Sequence, residues 1–375
     1  MRLGKKLLLS GMTLLPCSFA LGQESVDDKP CPFSFSASYI GDVVSNFSGG
    51  IKRGTTYLGL ANIAADFDPA VAGWWKGGLA RINVCNTHGG MPTRDYVGDF
   101  QWVSNIEAGN LTFMYELWYK QSIGKVDVTV GLQDLNSDFA VSDNGGLFNN
   151  SSFGIHSSIS ENISSPIFPL TALGLNLKWN VSESFLWQTA VFDGTPDDYA
   201  SNPYNIHWQL NKSQGCFVVT EFQFNKGLVA DRAGSYKLGI YYHEHCDSFS
   251  IKQYNRGAYA VVDQSITDKL SLFGQIGISP KKINSHNHYY GLGLNYKGLF
   301  DDRPDDVCGL ALAYAKIDGN DIGSETAIEM VYDFQLNKYM HIKPDLQYVI
   351  NPAGTDKKLS NALVGMLRFQ VEFLS

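Results

Sequence analysis

Residues 125–133 read Lys-Val-Asp-Val-Thr-Val-Gly-Leu-Gln, and their alternation decides the fold. Every second residue from Val126 to Leu132 is apolar, and the residues between them are polar or small. Successive strand residues point to opposite faces, so this pattern predicts a β-strand with one apolar and one polar face. Residues 111–121 and 363–373 repeat it. Further alternating segments lie near 57–67, 79–85, 173–179, 217–224, 236–242, 270–278, 289–296, 309–316, 326–334 and 340–350. The chain is therefore predicted to be all-β.

Composition narrows the class of protein. The chain has 375 residues with 37 Gly, 13% aromatic and 18% charged residues, against roughly a quarter charged in an average soluble protein. This aromatic content excludes a disordered chain. The net charge of −8 makes nucleic acid an unfavourable partner. Beyond the N-terminal segment, no apolar run approaches the ~20 residues that a membrane-spanning helix needs.

The N-terminus is predicted to be a cleaved secretory signal peptide over residues 1–22. Arg2, Lys5 and Lys6 form a basic start, an apolar stretch covers 7–15, and Ala-Leu-Gly at 20–22 supplies the cleavage site. Removing 22 of 375 residues leaves 353, and losing three positive charges changes the net charge from −8 to −11. We expect residues 23–375 to form one exported domain. Its five cysteines are an odd number, and the sequence leaves their disulfide pairing open.

The polar faces distinguish a membrane barrel from a water-soluble sandwich. They mix Gly, Asn, Gln, Thr and single charges, as the wall of a water-filled lumen does. Paired aromatic residues stand near segment ends, as in the aromatic girdles of membrane proteins. These pairs are Trp74-Trp75, Trp118-Tyr119, Tyr241-Tyr242 and Tyr289-Tyr290. At about 20–25 residues per strand with its connection, 353 residues give roughly 14–18 antiparallel strands. A barrel this wide holds an aqueous channel. The non-alternating stretch 137–169 is then expected to fold into the lumen as a constriction loop, either an eyelet or a plug.

Several strings resemble the carbohydrate-selective porin family (OprB-like) of Gram-negative outer membranes. They are NTHGG at 86–90, RDYVGD at 94–99, SNIEA at 104–108, YELWY at 115–119, GLQDLNS at 131–137, GLFNNSSFG at 146–154, FPLTALG at 168–174, FDG at 192–194, HW at 207–208, RPDD at 303–306 and DLQYVINP at 345–352. The resemblance implies a barrel of about sixteen strands that passes monosaccharides and small oligosaccharides passively. The implied partners are carbohydrate solutes and outer-membrane lipid, and the resemblance leaves a monomer or a trimer open.

A sugar-selective constriction needs hydrogen-bonding groups for the hydroxyls and an aromatic surface for the apolar sugar face, with weak binding. The densest set of such groups is Arg94, Asp95, Asp99, Asp134, Asn136, Asp138, Asn149 and Asn150. We expect Arg94 to be the constriction donor, because its guanidinium offers five N–H groups in a fixed fork, with Asp95 or Asp99 as acceptor. A surface ion pair of Arg94 with Asp95 is the alternative.

Other candidates depend on alternation or on turn chemistry. Arg81 and Asn83 lie opposite Ile82 and Val84 on the polar face, so they are predicted to line the lumen. Trp208 is a candidate for stacking on a sugar or for a girdle. Asp134 and Asn136 fit the site and turn capping equally.

Two alternatives to a sugar channel remain at this stage. The first is a general, non-selective porin, and the second is an exported β-rich binding or enzymatic protein with a plugged interior. No catalytic residue, metal site or cofactor is predicted. His156-Ser157-Ser158 has no assignable catalytic partner, and the histidines at 243–245 and 286–288 have no clear second ligand pair.

Overall fold

The computed structural model describes residues 31–374 except 165, 212, 230–231, 247–250 and 319–321. The predicted signal peptide lies outside the described residues. The strands are β1 (Phe33–Gly50), β2 (Gly54–Phe67), β3 (Gly78–Gly89), β4 (Leu111–Ile123), β5 (Val126–Gln133), β6 (Ala172–Asn180), β7 (Phe185–Asp193), β8 (Cys216–Phe224), β9 (Gly234–Cys246), β10 (Lys252–Ser265), β11 (Leu270–Ile278), β12 (His286–Lys297), β13 (Val307–Ile317), β14 (Ser324–Asn337), β15 (Met340–Ile350) and β16 (Ser360–Leu374).

These sixteen strands form one closed antiparallel barrel. Each strand pairs with its neighbours in sequence, and β1 pairs with β16 to close the sheet. Closure leaves no free sheet edge, which an apolar bilayer requires. The predicted barrel class is confirmed, with a strand number inside the expected range. Among the described residues, the helices are all too short or too polar to cross a membrane.

The two faces of the sheet follow the alternation in the sequence. Aliphatic residues such as Ile240 and Leu292 point outward and are 56% and 58% exposed, whereas Glu221 and Gln275 point inward and are buried. The aromatic pairs divide differently from the prediction. Because neighbouring residues of a strand face opposite sides, only one member of a pair on a strand can reach the lipid. Tyr242 lies outside with 40% exposure, and its neighbour Tyr241 is buried inside. Likewise, Tyr289 is buried inside and Tyr290 lies outside. Trp118 points inward and its neighbour Tyr119 points outward.

The two ends of the barrel differ in their connections. Short turns at 124–125, 181–184, 266–269 and 338–339 lie at the end that carries the described termini. The opposite end carries longer loops, which include 90–110, 134–171, 194–215 and 351–359. Since outer-membrane barrels have short periplasmic turns and longer outer loops, the long-loop end faces the exterior.

The barrel wall has an irregular place beside β4. Strand β5 pairs with β4 only as far as Leu132, which lies opposite Leu117, because the chain then turns into the lumen. The loop 194–215 covers this place. The backbone N–H of Met114 donates to the Tyr204 carbonyl at 2.9 Å, and the Asn205 amide donates to the Met114 carbonyl at 3.2 Å. Trp208 belongs to this covering loop, where its indole N–H donates to the Asn205 carbonyl at 3.0 Å.

Candidate functional site

The loop 134–171, which contains the stretch 137–169, lies inside the barrel and packs against inward strand residues. It contains two short helices, α1 (Ser151–Gly154) and α2 (Ser157–Ser160), and buries Phe139, Phe148 and Phe153 almost completely. These rings pack against inward residues of β7–β14, which are Phe192, Phe217, Val219, Tyr241, Tyr259, Val261, Phe273, Tyr289, Ala311, Ala313, Ala327 and Val331. We call this inward face of β7–β14 the anchored wall.

Small residues let the loop approach the anchored wall closely. A Cβ atom at Gly277 would lie 2.1 Å from the Ser158 hydroxyl oxygen, and one at Gly309 would lie 2.7 Å from the Phe148 ring. Real Cβ atoms do not approach other atoms so closely, so a side chain at either position would displace the loop. The loop is therefore positioned by the absence of side chains as well as by apolar contact.

Carboxylates of the anchored wall accept hydrogen bonds from the backbone of the loop. Glu221 accepts the N–H of Ala140 at 2.8 Å. Asp263 accepts the N–H of Asn144 at 3.0 Å, and Glu329 accepts those of Asn149 and Asn150 at 2.6 and 3.0 Å. An irregular segment inside a barrel has backbone N–H groups that no strand pairs, and an ionised acceptor satisfies them strongly. These carboxylates fix the path of the loop.

Asn149 and Asn150 belong to this anchoring. Both side chains are fully buried, and their amides donate to Asp345 and Gln347 of β15 at 3.3 and 3.2 Å. The side-chain oxygen Oδ1 of Asn150 also accepts the backbone N–H of Ser152 at 3.1 Å, which caps α1.

The segment 93–107 packs on the other side of the lumen, against β1, β2, β15 and β16. Arg368 forms a buried, two-pronged ion pair with Asp42, with both N–O distances at 2.7 Å. Ser104 donates to Asp42 at 2.7 Å, and Arg368 donates to the Asn105 side chain at 2.8 Å. The ion pair across the β1–β16 seam therefore also holds the inner segment, through its hydrogen bonds with Ser104 and Asn105.

On the inward face of β3–β6, Trp118, Lys120, Asp127 and Lys178 stay partly accessible, and we call this face the open wall. A groove of about 210 Å³ lies between it and the start of the loop. Its lining residues are Arg81, Glu116, Trp118, Lys120, Asp127, Thr129, Gln133, Asp134, Ser137, Asp138, Asn176 and Lys178. The groove combines an indole ring, three basic groups and four carboxylates in one place.

Arg81 is at the centre of the charge arrangement on the open wall. Its guanidinium binds both oxygens of Asp66 at 2.8 Å and lies 3.9 Å from Glu116. It also stands 5.6 Å from the centre of the Trp118 ring, which is a cation–π distance. Asn83 donates to Glu116 at 2.9 Å, so its amide holds a charged wall residue in position. The structure therefore places both Arg81 and Asn83 on the inward face.

The loop contributes the opposite side of the groove. Asp138 accepts the Asn176 amide at 2.8 Å and lies 3.3 Å from the Lys178 ammonium. Asp134 accepts the hydroxyl of Tyr115 at 2.8 Å, and burial raises its pKa to about 6. Asp134 also accepts the backbone N–H of Asn136 at 3.0 Å, so it caps the turn as well as lining the groove. The Asn136 amide donates to the carbonyls of Phe139 and Gly154, within the loop itself.

Arg94, Asp95 and Asp99 lie elsewhere, at the outer mouth. Arg94 forms a two-pronged pair with Asp95 at 2.8 and 3.1 Å, and its side chain is 66% exposed. This pair lowers the pKa of Asp95. Asp99 is buried, and burial raises its pKa to about 6. The structure brings Arg81, Asp134 and Asp138 together at the groove, and Asn83 is buried beside the groove residue Glu116. Arg94 and Asp99 border a different cavity.

Several inward residues of β4–β6 lie at the groove but were not among the predicted site residues. Trp118, Lys120, Asp127 and Lys178 occupy alternate positions on strands that the alternation does identify. The signal available in the sequence was that all four residues occupy the alternate strand positions that face inward. The cross-strand register that sets Arg81 opposite Trp118 is visible only in the folded sheet.

A closed antiparallel barrel with an apolar exterior, a polar interior and a loop inside the lumen is an outer-membrane porin. Comparison with known proteins narrows the class. The chain belongs to the family described as "Carbohydrate-selective porin, OprB family", whose model matches residues 52–246 and 248–373. It is an outer-membrane channel for carbohydrates.

The chain is similar to several individual proteins. Porin B of Pseudomonas aeruginosa is 24% identical over an alignment of 406 residues, which covers 91% of this chain and 87% of that protein. A high-pH structure of Pseudomonas putida OprB superimposes with a TM-score of 0.81 at 22% identity, over 91% of this chain and 94% of that one. The outer-membrane channel DcaP of Acinetobacter baumannii superimposes with a TM-score of 0.60 at 11% identity, over 91% and 97%. At these identities the two structures show the fold alone.

Proposed function

We propose that monosaccharides and small oligosaccharides diffuse passively through the groove between the open wall and residues 134–138 of the loop. The observation that carries the proposal is the pairing of the Trp118 ring with basic and acidic side chains in one groove. A sugar has hydroxyls around its rim and apolar C–H groups on its faces. The ring offers a surface for a face, while Lys120 and Lys178 donate to hydroxyls and Asp127 and Asp138 accept from them.

Mixed charge favours neutral solutes over ions of either sign. Arg81 is paired with Asp66, and Lys178 lies beside Asp138, so two of the three cations of the groove stand next to a carboxylate. An ion entering the groove meets repulsion as well as attraction at each step. A polyol instead exchanges its hydrogen bonds with water for hydrogen bonds with the wall, so it passes without bringing a net charge.

Weak binding is also built into the groove. Its volume of about 210 Å³ is smaller than the roughly 300–1,000 Å³ of sites that enclose drug-sized ligands. Five of its seven charged side chains, which are Arg81, Glu116, Asp134, Asp138 and Lys178, already have partners, so a solute competes with existing contacts. A channel needs such weak binding, because tight binding would prevent release and reduce flux.

We further propose that the chain has no catalytic role. The described Ser–His contacts are structural in character. The Ser157 hydroxyl lies 3.0 Å from Nε2 of His286, and Nδ1 of this histidine faces the Lys316 carbonyl at 2.9 Å. Both side chains are buried, with exposed fractions of 1% and 0%, so a substrate has no access to the pair.

Liposome swelling tests the sugar selectivity directly. Reconstituted protein should admit glucose faster than an amino acid of similar size, because the sugar has many hydroxyls and no charged group, whereas the amino acid carries both an ammonium and a carboxylate. Equal rates for both solutes would favour the general porin. A protein that inserts into liposomes and admits neither solute would contradict the proposed function.

A further inference from the structure

A second cavity lies at the outer mouth and is separate from the groove. Its volume is about 530 Å³, more than twice that of the groove and within the usual range of ligand sites. It is formed by the segment 91–102, by residues 353–356 of the last outer loop and by Glu161 of the lumen loop. None of its lining residues also lines the groove. A solute from outside meets this cavity before it reaches the groove.

The cavity contains the two kinds of surface that bind a saccharide. Phe100 and Trp102 provide aromatic surface, and both are half-buried. Glu161 is half-buried beside Trp102, and Asp356 is exposed at the rim. Aromatic rings take up the C–H faces of a sugar, while carboxylates accept hydrogen bonds from its hydroxyl or ammonium groups.

The charge at this cavity is unbalanced, unlike that of the groove. Its lining holds Asp99, Glu161 and Asp356 against a single cation, Arg94, whose guanidinium is already paired with Asp95. Asp99 is 2% exposed beneath the cavity floor, and neither carboxylate oxygen has a partner in hydrogen-bonding geometry among the described residues. The Thr93 hydroxyl, also without a partner there, lies close to it.

Burial and the nearby acid Asp99 both disfavour the ionised form of Glu161. Burial raises the pKa of Glu161 to about 7, and the charge of Asp99 adds to this rise, while contacts with Trp102 and Ser160 oppose it. Burial makes ionisation of Glu161 unfavourable. A bound cation would offset part of this free-energy cost by stabilising the ionised carboxylate. Among the described residues, no group of three or more His, Cys, Asp or Glu side chains is arranged to hold a metal ion. An organic cation therefore fits the cavity better than a metal.

We propose that this outer cavity is a capture site for saccharides that carry a protonated amino group. The ammonium group would lie against Glu161, within the field of Asp99 and Asp356, and a sugar face would lie on Trp102. The inference rests on the proposed function only in taking the ligand to be a saccharide, since the site, its charge and its residues are all different from those of the groove.

Calorimetric titration of the full chain in detergent at neutral pH tests the inference. The probes are glucosamine, N-acetylglucosamine and glucose, which differ in charge on a common hexose frame. Glucosamine should bind about three- to tenfold more tightly than the two neutral sugars, because its ammonium group forms one additional charge-assisted contact. Glu161→Gln should abolish this preference. The control is Glu183→Gln, which changes an exposed acid in the turn 181–184 at the opposite end of the barrel. This variant should keep the preference for glucosamine.

Asp356→Asn is a second variant at the rim, where the side chain is exposed and folding is not at risk. It should reduce the preference by a smaller factor than Glu161→Gln does. Equal binding of the three sugars by the wild type would overturn the inference. Loss of the preference in Trp118→Ala, with retention in Glu161→Gln, would overturn it as well, because the binding site would then be the groove.

Glucose swelling of liposomes separates this inference from the proposed function. A protein that conducts glucose but shows no amino-sugar preference contradicts the capture site alone. A protein that prefers glucosamine in titration but admits no sugar contradicts the proposed function alone.

Discussion

The anchored wall and the open wall carry carboxylates at the same alternate, inward positions, yet these groups have opposite surroundings. On the anchored wall, Glu221 and Glu329 accept backbone N–H groups of the loop. On the open wall, Glu116 stands beside the guanidinium of Arg81, as does Asp66 of the adjoining strand β2. Asp66 is satisfied by the guanidinium, and Glu116 by the Asn83 amide and the Trp118 indole. Glu221 and Glu329 form no ion pair among the described residues, and their oxygens accept from the loop backbone instead. Between these two walls, the presence of a paired cation therefore separates the carboxylates that face open lumen from those that hold the loop.

The largest expected effect comes from removing an anchor. Glu329→Ala leaves the backbone N–H groups of Asn149 and Asn150 without their acceptor in a buried place, at a cost of about 1–3 kcal/mol each. We expect the loop to detach locally, single-channel conductance to rise and the preference for sugars over amino acids to fall. Planar-bilayer recording measures the conductance, and Glu183→Ala is the control. Unchanged conductance in folded Glu329→Ala would show that this carboxylate does not hold the loop.

The next effect concerns the inner segment 93–107 and its dependence on pH. Burial raises the pKa of Glu107 to about 7 from its ordinary value of 4.5, and the nearby Asp99 adds to the rise, while Thr93 and Arg94 contacts oppose it. The folded state thus favours the protonated acid. Its contribution to stability is complete below about pH 4.5 and is lost as the pH rises through about 7, for a total on the order of 3 kcal/mol.

Glu107→Gln keeps an acceptor for the Thr93 N–H, which lies 3.0 Å from Oε2, and removes the ionisation. We therefore expect the variant to unfold at a higher temperature than the wild type at about pH 8, with little difference at about pH 5. Thermal unfolding at the two pH values measures this, with Glu183→Gln as the matched control. Parallel pH profiles for wild type and Glu107→Gln would contradict the assignment.

A smaller effect is expected from the open wall itself. Trp118→Ala removes the aromatic surface of the groove and should lower glucose flux roughly two- to tenfold, which corresponds to about 0.5–1.5 kcal/mol of ring contact. The matched control is Trp179→Ala, because Trp179 lies on the outward face of β6. Liposome swelling compares the two variants. Equal glucose rates in both would remove Trp118 from the sugar path.

The smallest effect is expected at Arg94. Its guanidinium is mostly exposed and paired with Asp95, outside the groove. As an exposed pair contributes little, Arg94→Ala should change glucose flux by less than about twofold. A large fall in swelling rate, with Trp118→Ala unaffected, would instead place the constriction at the outer mouth and support Arg94 as its donor.

The sequence was sufficient for the barrel and for part of the site, for physical reasons. Alternation determines which residues of a strand face inward, so Arg81 and Asn83 are assigned to the lumen without a structure. It does not determine register, and only register brings Trp118 opposite Arg81. Nor does it determine loop paths. Asn149 and Asn150 are chemically suited to bind sugars, but their amides are directed to β15 because Glu329 fixes the backbone beside them. Arg94 and Asp99 are five residues apart in sequence, yet Arg94 is exposed and Asp99 is buried, because the chain turns between them.

The pair of Asp42 and Arg368 has a consequence for the order of assembly. The two residues are 326 positions apart in the chain and meet across the seam between β1 and β16. The pair forms only when the first and last strands meet, and fourteen strands separate them in sequence. Contacts of such high sequence separation form slowly, since loop closure must precede them. Until the seam closes, a carboxylate and a guanidinium at the two open edges remain hydrated. Their desolvation as a pair then belongs to the last stage of folding, when the barrel becomes a sealed wall.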